Sequence, residues 1–164
     1  MTSRELFERA IEVVLGHEGS GSAVHPNDRG GLTRFGISQR WNPDIDVLHI
    51  TREQAIEFYW ERYWKAKNYD WLPPAIAVKV FDLSTNLGEQ SVVRCLQRAL
   101  RACGYPVKID GILGPKTAGA ALNANPLALL AALRSEAAAD YKLIVANDMS
   151  QAAFLTGWLN RAYS

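Results

Sequence analysis

The apolar residues of this chain recur mostly at three- and four-residue steps, the period of a helix with one buried face. Leu6, Phe7, Ala10, Ile11, Val14 and Leu15 mark a first helix that carries Glu18 out at its end. There the pattern stops. Gly19, Gly21, Gly30, Gly31 and Gly36, with Pro26, predict a loop and short hairpin over 19–37. Thr51-Arg52-Glu53-Gln54 has the form of a capping box, in which the threonine and glutamine side chains each satisfy a free backbone N–H, and predicts a helix through about Lys65. Pro73-Pro74 opens another, with Ala77, Val80, Phe81 and Leu87 on one face and Gly88 as its stop.

The second half repeats the helical period with different punctuation. Val93, Leu96 and Leu100 share a face of a helix running through 92–103, and Asp110-Gly111 then supplies a tight turn. Gly114 frees the backbone and Pro115 is preorganised for the first turn of the next helix. Pro126 starts a long one, with Leu127, Leu129, Leu130, Leu133, Ala137, Tyr141 and Ile144 inside, and Asn147-Asp148-Met149-Ser150 ends it. A last segment holds Trp158, expected in the core, and Arg161, expected to brace a carboxylate. No Ser/Gly- or Pro-rich linker intervenes. The expectation is therefore two halves, 1–92 and 93–164, packed as one globule.

Composition narrows the partners. With 164 residues, 48% hydrophobic, 21% charged and a formal net charge of +1, the chain has no global field to draw it to nucleic acid or anionic lipid. Glu5, Glu8, Glu12 and Glu18 interrupt the apolar positions of the N-terminus, which speaks against a secretory signal there. No run approaches the roughly 18 apolar residues of a membrane span. A protein made and folded in the cytoplasm is expected. Cys95 and Cys103, eight apart on a helix, would be separated by roughly 12 Å, too far for a disulfide, so both are expected as buried free thiols. His17, His25 and His49 are scattered, and neither a metal nor a cofactor is expected.

The candidate chemistry sits at the end of the first helix. Glu18 is followed ten residues on by Asp28 and five beyond that by Thr33. A helix end and the hairpin after it can face each other across a cleft, one carboxyl as acid and the other orienting water, as sugar cleavage by inversion requires. Each residue alone has a plainer role: a solvated surface Glu, a turn Asp, a strand Thr. A second concentration is aromatic: Phe58, Tyr59, Trp60, Tyr63, Trp64, Tyr69 and Trp71 are more than one helix face buries.

Glu18-Gly19, together with Asp28, Gly30, Gly31, Thr33, Gly36 and Ile37, resembles the motifs of the glycoside hydrolase family 108 muramidases, the phage endolysin and secretion-activator group. The first motif departs from the family's Glu-Gly-Gly-Tyr, reading Glu18-Gly19-Ser20-Gly21 without the aromatic. The layout is also similar, by spacing, to phage-type lysozymes. Further along, Tyr63-Trp64 matches a family Tyr-Trp pair, and Asp82, Asn86 and Gly88 match an Asp-x-x-x-Asn-x-Gly motif. The stretch from Val93 to Leu122 resembles a peptidoglycan-binding module, and Gly157-Trp158-x-x-Arg161 resembles the family's C-terminal end.

The resemblance implies a mainly α, lysozyme-like fold with a small β-hairpin beside the catalytic helix. It implies a lysozyme-type endolysin, an N-acetylmuramidase, in which Glu18 is the acid and Asp28, helped by Thr33, holds the attacking water. Tyr63, Trp64, Asp82 and Asn86 become the expected substrate-binding residues. The partner is bacterial peptidoglycan, met by a monomer after release across the membrane by a holin or another export partner. A lytic transglycosylase, a non-catalytic wall-binding protein and a helical interaction adaptor are the rival readings.

Overall fold

The computed structural model describes residues 1–18, 22–23 and 31–164. Among these residues are seven α-helices and one small antiparallel sheet, and they divide into two compact units, Met1–Lys67 and Asn68–Ser164. The mainly helical class and the hairpin after the first helix are as the sequence predicts.

In the first unit, α1 (Ser3–Glu18) buries Phe7, Ala10, Ile11 and Val14 to 1% exposure or less. The sheet has the order β1 (Ser22–Ala23), β2 (Thr33–Arg34), β3 (Ile37–Ser38). Ala23 pairs with Thr33, and Thr33 in turn with Ser38. Between β2 and β3, Phe35 (φ +52°) and Gly36 (φ +76°) both take left-handed backbone, the pattern of a two-residue type I′ turn whose twist matches its strands.

Thr51 caps α2 (Arg52–Tyr59) with the complete capping box. The predicted single helix through Lys65 instead changes form. Trp60–Trp64 is a π-helical turn, closed by Lys65 N–H donating to the Trp60 carbonyl at 3.1 Å. The difference has a packing correlate: both indoles meet the Phe7 ring, at centroid distances of 5.1 and 5.6 Å.

The second unit begins with a 3₁₀ turn (Tyr69–Trp71) and α3 (Pro74–Leu87), ended by Gly88 at φ +83°. Next come α4 (Glu89–Ala102), α5 (Pro115–Asn123), α6 (Pro126–Asn147) and, after a second 3₁₀ turn, α7 (Leu155–Tyr163). Helix α6 packs against α3, α4, α5 and α7. Its buried stripe is Leu129, Leu133, Ala137, Ala138, Tyr141 and Val145. Leu127, expected inside, is 78% exposed, because it lies in the first turn and off that stripe. Trp158 is half-buried rather than core, stacked between Tyr141 (5.3 Å) and Phe154 (5.6 Å).

The cysteines are both free, as expected, but differ in burial. Cys95 is fully buried on α4. Cys103 is only half-buried, since it caps the helix instead of lying within it.

Candidate active site

Glu18 is the last residue of α1, and Asp28 lies outside the described residues. Thr33 opens β2, half-buried, and its hydroxyl donates to the Gly31 carbonyl at 3.1 Å. The sheet brings Thr33 beside Ala23, five residues past the end of the Glu18 helix. Two bonds anchor the hairpin that carries Thr33, and a third closes its open end. The Tyr59 hydroxyl, from α2, donates to the Phe35 carbonyl at 2.9 Å inside the unit. Arg34 donates to the Leu48 carbonyl at 2.6 Å. Gln39 N–H donates to the Leu32 carbonyl at 2.9 Å.

Tyr63 and Trp64 have different surroundings. Trp64 is 2% exposed, and its indole N–H donates to Ser3 Oγ at 3.0 Å. In this arrangement its work is packing, because no face of the ring is open to a ligand. Tyr63 is half-buried beside Phe58 and Tyr59, and burial raises its phenol above the usual range.

Asp82 and Asn86 share α3 but not an environment. Asn86 is exposed. Asp82 is fully buried, its Oδ1 3.0 Å from Arg161 Nε and its Oδ2 3.5 Å from Lys79 Nζ. Lys79 also donates to the Arg161 backbone carbonyl. The carboxylate that Arg161 braces is therefore Asp82, and the motif residue ties α3 to α7 with no surface left for a sugar. Burial lowers the Lys79 ammonium from its ordinary value, against the opposing pull of Asp82.

One exposed aromatic escapes the periodic pattern. Trp41 is 68% exposed, just beyond β3, with the Arg40 guanidinium 5.5 Å from its ring centre. The loop that presents it is braced: Gln39 Nε2 donates to the carbonyls of Asn42 (3.2 Å) and Ile45 (2.7 Å), and Gln39 Oε1 accepts from Val47 N–H (3.1 Å). The sequence signal was available. A tryptophan in the polar run Gln39-Arg40-Trp41-Asn42 has no periodic apolar partners to bury it. Among the described residues no group of acidic, histidine or cysteine side chains could hold a metal ion.

Comparison with known proteins agrees with this architecture. Residues 11–88 match the family model described as Glycosyl hydrolase 108, and residues 91–163 match the one described as Predicted Peptidoglycan domain. No curated protein matches the chain. Among solved structures, SagA of Brucella abortus is similar over 98% of this chain and 91% of that one, with a TM-score of 0.79 and 26% sequence identity. That likeness spans both matched regions. The chain is thus similar, through residues 11–88, to the glycosyl hydrolase 108 family of glycoside hydrolases, and through residues 91–163 to a predicted peptidoglycan domain.

Proposed function

We propose that the chain is an N-acetylmuramidase that hydrolyses the β-1,4 bond between N-acetylmuramic acid and N-acetylglucosamine in peptidoglycan. Glu18 gives its proton to the glycosidic oxygen as the bond breaks. Asp28 takes a proton from water on the opposite face of the sugar, and the Thr33 hydroxyl helps hold that water. With the carboxyls about 6.5–9.5 Å apart, the anomeric configuration inverts. The observation that carries the reading is the register of the sheet. Thr33 pairs with Ala23 on the strand that follows the Glu18 helix, and Asp28 stands between them in the sequence. In the first unit, exposed Trp41 and half-buried Tyr63 help hold the glycan, and buried Trp64 supports that unit by packing. The protein acts as a monomer on the wall, after a holin or other export partner lets it out of the cytoplasm.

Purified sacculi test this directly. Glu18→Gln keeps the shape but removes the transferable proton, and general acid catalysis contributes about 10²–10⁴-fold. Turnover is expected to fall near background with the melting temperature level or higher. A Gln variant keeping a tenth of wild-type turnover overturns the assignment. Asp28→Asn should be crippled, while Thr33→Ala, losing one hydrogen bond, should cost about 0.5–1.5 kcal/mol. Mass spectrometry of the digest separates the rival lytic transglycosylase, whose anhydro sugar ends are one water lighter than hydrolysed ends.

A further inference from the structure

The connection between α4 and α5 is built around one buried amide. Gln97, fully buried, accepts at Oε1 from the backbone N–H groups of Asp110 (3.0 Å) and Gly111 (2.9 Å). Its Nε2 donates to Asp110 Oδ1 at 2.8 Å, with the Ile112 carbonyl (3.2 Å) and Thr117 Oγ1 (3.3 Å) also in reach. Gly111 sits at φ +76°, where a Cβ would come within 2.6 Å of Gln90 Cγ and 3.0 Å of the Gln90 carbonyl oxygen. The turn is thus held in one shape from inside.

That turn walls a groove of about 620 Å³, lined among others by Pro106, Lys108, Ile112, Pro115 and Lys116. Ile112 is 65% exposed, and both lysines are exposed. The one carboxylate of the lining, Asp110, is engaged by Gln97 and by the Ile112 N–H at 3.0 Å, which hold it below the usual carboxylate range. Two ammonium groups beside an apolar floor match a ligand carrying carboxylates and small apolar side chains. No lining residue is aromatic, so the groove lacks the flat faces on which sugar rings pack.

We propose that this groove binds the stem peptide of peptidoglycan, with Lys108 and Lys116 meeting its carboxylates and Ile112 its alanine methyl groups. The inference rests on the wall polymer being the substrate, and it assigns this region to the peptide instead of the glycan. The test uses the full chain and a sugar-free synthetic stem tetrapeptide, L-Ala–γ-D-Glu–diaminopimelate–D-Ala, which no muramidase can cleave. Its titration followed by amide NMR should shift Lys108, Ile112 and Lys116 saturably.

Lys108→Gln/Lys116→Gln should bind about three- to tenfold more weakly, as expected for two exposed charge pairs, with an unchanged melting temperature. Added salt should weaken the wild type more than the variant. Absent shifts in this groove, equal affinity in the double variant, or the same shifts with a peptide-free chitin hexamer would each overturn the proposal. Hydrolysis of sacculi is measured alongside. Intact hydrolysis with no peptide binding sinks the groove alone, whereas lost hydrolysis with peptide binding sinks only the muramidase reading.

Discussion

Cys95 and Cys103 carry the same thiol into different surroundings. The Cys95 Sγ donates to Asp140 Oδ2 at 3.2 Å, and burial with the nearby Asp140 charge pushes the thiol up to about 12. Cys103, half-buried at the end of α4, lacks that enclosure. Only the thiolate is a nucleophile, so alkylation of the native protein should label Cys103 first and Cys95 only on unfolding. Denaturing, non-reducing alkylation followed by intact-mass analysis should find both labels. The raised value also fixes a sign. From the ordinary thiol value of 9.0 up to about 12 the unfolded chain loses this proton and the native state keeps it. Stability therefore falls as pH rises through that window, and Cys95→Ala should flatten the fall. Equal native labelling rates, or an unchanged alkaline slope in the variant, would count against this account. The sequence placed both thiols on one helix. It could not separate their burial, which depends on where α4 meets α6.

At the scale of elements, signals local to a few residues were readable. The Thr51 capping box, the Pro74, Pro115 and Pro126 helix starts and the Gly88 stop all stand where the sequence put them. The π turn was not readable, because Phe58, Tyr59, Trp60, Tyr63 and Trp64 fit an α pattern equally well and only packing on Phe7 separates the two. The left-handed Phe35 was hidden too. A bulky residue there is uncommon and strained, and what holds it comes from elsewhere: burial to 6% exposure and the Tyr59 hydroxyl, 24 residues away. Tyr59→Phe tests that hold. Removing one buried hydrogen bond should cost about 0.5–1.5 kcal/mol, or about 2–4 °C per kcal/mol in a protein of this size. Turnover on sacculi should fall further than Thr33→Ala alone, since the whole hairpin loses an anchor. A variant matching wild type in melting and turnover would show that the anchor does not position the site.

At the scale of the molecule, packing and sequence family divide the chain at different places. The glycosyl hydrolase match runs through residue 88, yet α3 belongs to the unit that begins at Asn68. The reason is long-range and charged. Asp82 and Arg161 are 79 residues apart, and no periodicity or spacing could pair them. Around that pair, Ile76, Ala77, Val80, Phe81 and Leu83 of α3 are fully buried, and α3 packs on α4 and α6. Two fragments make the difference measurable. The 68–164 fragment keeps α3 and should melt in one cooperative transition. The 91–164 fragment, which retains the matched peptidoglycan domain, leaves Arg161 without Asp82. Removing one partner of a buried pair costs about 3–5 kcal/mol, and each large α3 side chain withdrawn from the core adds about 1.5–3 kcal/mol. Against a total stability of about 5–15 kcal/mol, that loss should abolish the cooperative transition in thermal circular dichroism. If 91–164 melts as sharply and at the same temperature as 68–164, α3 is not part of the second unit's core and the Asp82–Arg161 tie does not hold the fold.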